Sequence, residues 1–328
     1  MNDPSNVNYR VQRLTPEYTR QIPELVTRVN GPAYIHPEVY HPDVIWELNA
    51  AKRLISVIAL DDQDRVVGHS ALERPALERV CEIGEAMVLP EHRHHHLLDR
   101  MRDLLEEAGR SEGLFAMYGN AVTHHIFSQR TEERAGSTPI AILLAHSPAE
   151  SFHVDYPQRV STVTYLKVLG QFPPPRIHPP EHHREMLASI YAHLGRQAEW
   201  GEPQPASSEG KLTSRLEKSL ARGSIRVEAV GANSAAQVLA ASESLAQADV
   251  VYVEVPLADP GCAGLCQELE GHGFFFNGIA ASEPDRGGDC LVLALLRTPL
   301  DFSLIELDGD FARNLLTYIE AARSRTKG

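Results

Sequence analysis

The segment Glu82–Arg102 (EIGEAMVLPEHRHHHLLDRMR) holds the densest set of residues that could do chemistry. Two carboxylates, Glu82 and Glu85, lie on a predicted strand, and Arg93 with the run His94–His96 follows in a short loop. An amphipathic helix is predicted to begin directly after the histidines. A helix N-terminus presents unpaired backbone N–H groups and the positive end of the helix dipole. The segment is therefore suited to bind a phosphate group.

Hydrophobic periodicity predicts the elements that position these residues. Apolar residues at 97, 98, 101, 104, 105 and 108 have helical spacing, which favours a helix over 97–113. Helices are also predicted to open at Thr15-Pro16 and over 42–51. Strands are predicted at 9–14, 53–60, 65–72, 80–89, 114–122, 140–145 and 160–169.

Composition shifts predict two domains. Residues 1–170 are expected to form the first domain, 171–224 a Pro-rich linker with one connecting helix near 181–194, and 225–328 a smaller α/β domain. The 328 residues suit two domains better than one. Leu114–Ala145 and Val251–Ser282 share the order strand, helix, Gly, strand, which predicts a tandem repeat of related folds.

Charge and cysteine content narrow the class of protein. The formal net charge of −13 argues against nucleic acid as a general partner. No basic stretch precedes an apolar run at the start, and no apolar run approaches the length that spans a bilayer. The four cysteines are too few and scattered for a disulfide framework. We expect a reduced, cytoplasmic protein without membrane contact.

The order of elements from Tyr9 to Leu169, with a Val-x-Pro-x-x-Arg turn between strand and helix, resembles the GNAT (GCN5-related N-acetyltransferase) superfamily. The family loop reads Arg or Gln, two residues, Gly, one residue, then Gly or Ala. This sequence has Arg93 at the first position, but His96 and Leu98 replace the small residues. The resemblance implies a mixed central sheet flanked by helices, with a second, GNAT-like α/β half that lacks a phosphate loop.

The resemblance also implies where an acyl-CoA would bind. The pantetheine amides would pair with the backbone of Ala86, Met87 and Val88, and the phosphates would contact Arg93, His94, His95, His96, Leu97 and Leu98. Asn120 matches a position where the family often places a polar residue near the cofactor. Acetyl-CoA or another acyl-CoA is the expected co-substrate.

Acyl transfer to an amine needs a group that accepts the amine proton. Glu82 and Glu85 are the candidates, with opposite side-chain directions in a regular strand, and Glu82 is favoured unless a bulge changes which one faces the cleft. The family's usual leaving-group tyrosine is absent, because counting back from Gly136 gives Glu132. His125 and Ser128, three apart on one helical face if the helix has begun, are the alternatives.

The histidines also raise the question of a metal. His92 and His96 are four apart, but no third ligand is indicated by spacing, so no metal is expected. His182 and His183 are expected to be surface residues of the connecting helix.

These features predict an N-acyltransferase that moves an acyl group, acetyl in the first instance, from coenzyme A to an amine of a small molecule or peptide. A non-catalytic GNAT-like binding or regulatory protein is the alternative, motivated by His96, Leu98 and the missing tyrosine. A transferase that uses a carrier protein or a charged tRNA as donor is a further alternative. The sequence leaves a homo-oligomer open.

Overall fold

The computed structural model describes residues 8–326 except 33, 35, 153, 207–208 and 284–286. The chain divides into two compact units. The first comprises the residues up to Gly119 together with Val168–Gln171, and the second comprises Asn120–Lys167 and the chain from Phe172 onward.

The first unit is an α/β layer structure. Its sheet has the order β1-β2-β3-β4-β5, antiparallel except for the parallel pair β4–β5. The elements are β1 (Arg10–Arg13), α1 (Ile22–Asn30), α2 (Pro42–Ala50), β2 (Leu54–Leu60), β3 (Val66–Glu73), β4 (Val80–Val88), α3 (Leu97–Ser111) and β5 (Ala116–Val122), whose last three residues belong to the second unit.

Helix α3 covers one face of this sheet. Met101 and Leu105 are fully buried, as their spacing on an amphipathic helix predicts. A Cβ added at Gly68 would come within 3.2 Å of Met101, so Gly68 points toward α3. Because side chains alternate along a strand, His69 and Glu73 of β3 point to the opposite face. That face holds the carboxylates described below.

The second unit contains a sheet of order β7-β6-β13-β14-β12-β11-β10 and a separate parallel pair, β8–β9. Its elements are α4 (Phe127–Arg134), β6 (Thr138–Ser147), β7 (Val160–Val168, whose last residue belongs to the first unit), β8 (Arg176–Ile177), α5 (Arg184–His193), β9 (Glu199–Trp200), β10 (Lys211–Glu217), β11 (Arg222–Ala229), α6 (Ser234–Ser244), β12 (Val250–Pro256), α7 (Cys262–Glu270), β13 (Phe275–Ala280), β14 (Cys290–Leu296) and α8 (Asp310–Thr326).

Strands β6 and β13 meet at a glycine. Gly278 pairs with Ala141, has φ +129°, and an added Cβ would lie 2.4 Å from the Ala141 Cα atom. Only glycine allows two backbones to approach this closely in this conformation. This contact joins a strand of the first half of the sequence to the C-terminal strands within one compact unit.

The predicted mixed α/β fold class is confirmed, with a mostly antiparallel sheet in each unit. The region predicted to open a helix at Thr15 begins as a 3-10 helix over Pro16–Gln21 and continues into α1. Strand β10 was not predicted, and β11 begins at Arg222, before the predicted start of the C-terminal domain at residue 225. The linker predicted at 171–224 stays a prediction, since the compact units are divided at other residues.

All four cysteines are buried and none is in a disulfide. Cys262 and Cys266 lie on one face of α7, with their Sγ atoms 3.9 Å apart. Within the described residues, the helices are too short or too polar to cross a bilayer.

Candidate active site

Strand β4 contains a bulge at Glu85. His69 pairs with Met87 and Ala71 pairs with Gly84, so β4 has one more residue than β3 between these two pairs. Glu85 itself has the left-handed φ of +52°. Such a bulge redirects the side chains that follow it along the strand.

The bulge places Glu82 and Glu85 on the same face, so the opposite directions expected for a regular strand do not apply. Glu82 is the cross-strand partner of Glu73, which directs both side chains to the face opposite α3. His36 reaches this face from the loop before α2, with its Nδ1 atom 3.7 Å from a Glu73 carboxylate oxygen. His36 and Glu85 also place ligand-type atoms within 4.8 Å of each other.

Glu85 and His69 form a buried pair. Both side chains are fully buried, and the Nδ1 atom of His69 lies 3.4 Å from a Glu85 oxygen, without hydrogen-bond geometry. Burial, reinforced by the charge of Glu73, raises the pKa of Glu85 to about 8. Burial lowers the pKa of His69 to about 4. Both groups are therefore predominantly uncharged near neutral pH.

Glu73 is the more accessible carboxylate, with 23% of its side chain exposed. Burial raises the pKa of Glu73 to about 7. The positive charge of His36 acts against this shift, and the negative charges of Glu82 and Glu38 add to it. A Cβ at Gly84 would lie 2.4 Å from a Glu73 oxygen, so the glycine leaves room for this carboxylate. A group with a pKa near 7 can accept and release a proton at physiological pH.

His36 is the cationic member of the cluster. Its Nδ1 atom lies 3.5 Å from a Glu38 oxygen. Burial alone would lower the pKa of His36, but the hydrogen bond to Glu38 and the charges of Glu73 and Glu85 outweigh burial and raise the pKa to about 9. One imidazolium among four carboxyl groups leaves the cluster electronegative, which suits a site for a protonated amine.

Strands β4 and β5 pair only at their beginnings. The ladder joins Val80, Cys81 and Glu82 to Ala116, Met117 and Tyr118, and ends there. Within the described residues, β4 therefore has no ladder to β5 from Ile83 onward. Of the residues expected to pair with pantetheine, Ala86 is exposed, whereas Met87 and Val88 are buried.

The loop after β4 has a left-handed backbone at two residues. His94 has φ +68° and His96 has φ +55°, although neither is glycine. His96 is the N-cap of α3 and makes no side-chain capping hydrogen bond. In the described part of the chain, the backbone N–H groups of His94–Leu98 donate to no protein acceptor. The loop and helix start therefore present several unpaired donors.

The side chains of this loop are held by separate contacts. The Nε atom of Arg93 donates to the Val88 carbonyl oxygen at 3.3 Å, and the His95 ring lies 4.9 Å from that of Tyr9. His96 is 79% exposed and lies 3.1 Å from Asp99. Leu97 is buried, while Leu98 is 39% exposed at the helix start. The His92 Nδ1 atom is engaged by the Tyr9 hydroxyl at 2.9 Å.

Asn120, His125 and Ser128 belong to the second unit. The Oδ1 atom of Asn120 accepts a hydrogen bond from Thr164 at 2.8 Å. Helix α4 begins at Phe127, so His125 precedes the helix, and the shared helical face expected for His125 and Ser128 does not exist. The Nδ1 atom of His125 and the Oγ atom of Ser128 are buried without hydrogen-bond partners in the described residues. Their proposed roles stay predictions.

Sequence reasoning did not find His36, His69 or Glu73. Glu73 and His69 are four apart on β3, which is one face of a strand, and that spacing was an available signal. His36 comes from a loop between prolines and had no comparable signal. His183, expected at the surface, is fully buried against Phe276 at a ring distance of 4.7 Å.

No protein-family profile and no curated protein matches this sequence. Solved structures of acetyltransferases match about half of the chain. One is a GNAT-family acetyltransferase from Staphylococcus aureus, 12% identical, covering 50% of this chain and 100% of its own, with a TM-score of 0.39.

Two further matching structures have names that state their substrates. A spermidine/spermine N-acetyltransferase from Vibrio cholerae is 14% identical, covers 49% of this chain and 94% of its own, and has a TM-score of 0.40. A ribosomal-protein-S5-alanine acetyltransferase from Vibrio fischeri is 9% identical, covers 51% and 96%, and has a TM-score of 0.41. GNAT-family acetyltransferases are thus among the solved structures that match about half of this chain.

Proposed function

We propose that this protein is an N-acyltransferase that moves an acyl group from coenzyme A to an amine. The observation that carries the proposal is the left-handed backbone at His96. This is the position where the family loop has a small residue, and here a histidine holds the conformation that favours glycine. This left-handed backbone supports a loop that directs N–H groups at a phosphate although the sequence motif is degenerate.

The residues after β4 fit a diphosphate. The unpaired N–H groups of His94–Leu98 and the dipole of α3 would stabilise its charge. Arg93 and the three histidines offer further donors. The Cβ of His96 narrows the approach relative to glycine, so part of the binding energy would come from these side chains. The backbone of Ala86–Val88, beyond the end of the β4–β5 ladder, would receive the pantetheine arm.

The carboxylates would serve the acceptor amine. A primary amine reaches the site as an ammonium group and must lose a proton before it can attack the thioester carbonyl. The electronegative cluster would attract the ammonium, and we propose that the cross-strand pair Glu73 and Glu82 accepts its proton. Glu85, predominantly protonated near pH 7, would remain neutral. The thiolate of coenzyme A leaves and takes up a proton, and the roles predicted from the sequence for His125 and Ser128 stay predictions.

The acceptor class follows from this charge pattern. A small polyamine or the amine of a peptide would complete the carboxylate cluster, whereas an anionic acceptor would be repelled. The spermidine/spermine enzyme among the matched structures acts on acceptors of this type. We propose a cationic amine as the acceptor.

We also propose that the C-terminal half is GNAT-like and lacks a phosphate loop. In it, α6 connects the parallel strands β11 and β12, as α3 connects β4 and β5. Gly136 and Gly273, aligned in the predicted repeat, both have left-handed φ values, +72° and +88°. The domain limits 1–170, 171–224 and 225–328 are part of this proposal.

The test is a turnover assay that detects thiol release from acetyl-CoA. The full chain is mixed with acetyl-CoA and either spermidine, a short peptide or an acidic amine such as glutamate. We expect thiol release with a cationic acceptor and acetylated product by mass spectrometry. If coenzyme A binds but no acceptor is acetylated, the non-catalytic alternative replaces this proposal.

A further inference from the structure

A second cluster of possible ligands lies in the second unit, outside the proposed active site. His182 and His183 precede α5, and Glu270 is the last residue of α7. The Nε2 atoms of the two histidines lie 2.9 Å and 2.6 Å from separate oxygens of the Glu270 carboxylate. All three residues place one ligand atom within 4.8 Å of the others.

Tyr318 of α8 fixes the orientation and the tautomer of His183. The Tyr318 hydroxyl donates its single proton to the His182 carbonyl oxygen at 2.8 Å. The Nδ1 atom of His183 lies 2.6 Å from the same hydroxyl, and when the hydroxyl proton is used on the carbonyl oxygen the Nδ1–H group is the donor in this second bond. A neutral His183 therefore has its proton on Nδ1 and a lone pair on Nε2.

This leaves an acceptor facing an acceptor. The Nε2 lone pair of His183 lies 2.6 Å from a Glu270 oxygen, and the contact is unfavourable unless a positive charge lies between the two atoms. A second proton on His183 would create an imidazolium on a fully buried ring, which costs desolvation energy. A divalent cation would satisfy both histidines and the carboxylate at once.

We propose that His182, His183 and Glu270 bind a divalent transition-metal ion, with zinc as the best match. Two imidazole nitrogens and a carboxylate are a common zinc ligand set. Ligands at about 2.0–2.1 Å from a tetrahedral ion lie about 3.3 Å apart, so the present contacts need to open by less than about 1 Å. The Tyr318 hydroxyl supplies the outer hydrogen bond that usually orients a ligating histidine.

The surroundings suit an ion with three protein ligands and one open position. Phe276 packs against the His183 ring at 4.7 Å and forms an apolar wall. The His182 side chain is 38% exposed, which gives the ion an entry path and leaves its remaining coordination position open to water. The ion would tie the segment before α5 to the end of α7, with α8 holding the orienting tyrosine. The sequence expectation that no metal binds is thus replaced by this proposal.

The test is calorimetric titration of the full chain with Zn²⁺ alone, after treatment with a chelator. We expect wild type to bind one more zinc ion than Glu270→Gln or His182→Ala. His272→Ala removes an exposed histidine two residues beyond Glu270 and should bind as wild type does. Tyr318→Phe should keep the ion with affinity reduced about 10–100-fold.

The differences between variants remove the contribution of the other histidines, including the run His94–His96. Co²⁺ in place of zinc should give visible ligand-field absorption in wild type that is lost in His182→Ala. Equal zinc stoichiometry and affinity in wild type and Glu270→Gln would overturn the proposal. If Glu270→Gln does not fold, His182→Ala, at a part-exposed position, provides the test. Unchanged zinc affinity and stoichiometry in His182→Ala would then overturn the proposal.

Discussion

Replacing Glu85 with glutamine tests the buried carboxyl at the β4 bulge. The glutamine keeps the size of the side chain and cannot ionise. The folded chain retains the Glu85 proton up to a pKa of about 8, whereas an ordinary glutamate has a pKa of 4.5. Between these two pH values the unfolded chain loses the proton and the folded chain keeps it. Wild-type stability must therefore fall as pH rises through this window, and the variant should lack that loss.

The magnitude follows from the two pKa values. Each tenfold change in proton affinity is worth about 1.4 kcal/mol, so the full effect is on the order of 5 kcal/mol. About 3 kcal/mol of it should develop between pH 5 and pH 8, where the unfolded carboxyl is mostly ionised. The His69 pKa of about 4 lies below its ordinary 6.5, so His69 acts in the opposite direction, with stability rising between these values. His69 is common to both proteins and cancels in their difference.

The assay is urea unfolding of both proteins at pH 5, 6, 7 and 8. The free energy of unfolding of Glu85→Gln minus that of wild type should grow with pH by about 3 kcal/mol. Glu24→Gln removes a carboxylate from an exposed position of α1 and should show a nearly constant difference from wild type. A constant difference for Glu85→Gln as well would refute the assignment of a protonated buried carboxyl.

Three other predictions concern the loop, the β6–β13 contact and the proton acceptor. His96→Gly should be about 1 kcal/mol more stable than His96→Ala by thermal unfolding, because residue 96 has a left-handed φ; equal stability would contradict that backbone. Gly278→Ala should lower the free energy of unfolding by at least about 3 kcal/mol. Gly264→Ala, with open space around its Cβ, should raise the free energy of unfolding by about 0.5–1 kcal/mol. Similar effects of the two substitutions would contradict the close approach of the β6 and β13 backbones at Gly278. Glu73→Gln should reduce the acyl-transfer rate about 10²–10⁴-fold. In wild type that rate should rise with pH up to about 7, where Glu73 deprotonates, and a profile unchanged by the substitution would exclude Glu73.

Local signals in the sequence predicted the two elements on either side of the loop that contains His94–His96. The apolar spacing after His96 specifies α3, and the strand before Pro90 specifies β4, because both patterns are written within a few residues. The loop that contains His94–His96 was predicted because it lies between these two elements.

The carboxylate cluster around Glu73 and Glu85 could not be predicted in the same way. The bulge at Glu85 depends on how β4 pairs with β3, and the alternating pattern of a single strand does not contain that register. His36 reaches Glu73 from a loop 37 residues earlier in the chain, which no local period encodes. The burial of His183 likewise depends on Phe276 and Tyr318, which come from distant parts of the chain.

The C-terminal half illustrates the same limit at the level of domains. The Pro-rich stretches predicted a boundary after Gly170, because composition is a local property of the sequence. The close approach of β13 to β6 at Gly278 becomes visible only in three dimensions, because a single glycine in a strand does not indicate which strand pairs with it.

The most direct test of the central claim is calorimetric titration of the full chain with acetyl-CoA, for wild type, Leu98→Asp and Val44→Asp. Leu98 and Val44 are each 39% exposed in the first turn of a helix, α3 and α2 respectively, so both variants gain the same charge in a position that tolerates it. We predict that wild type and Val44→Asp bind acetyl-CoA alike and that Leu98→Asp binds at least about tenfold more weakly, because a carboxylate would face the diphosphate. No binding by wild type, or equal binding by all three proteins, would contradict a coenzyme A site at the start of α3.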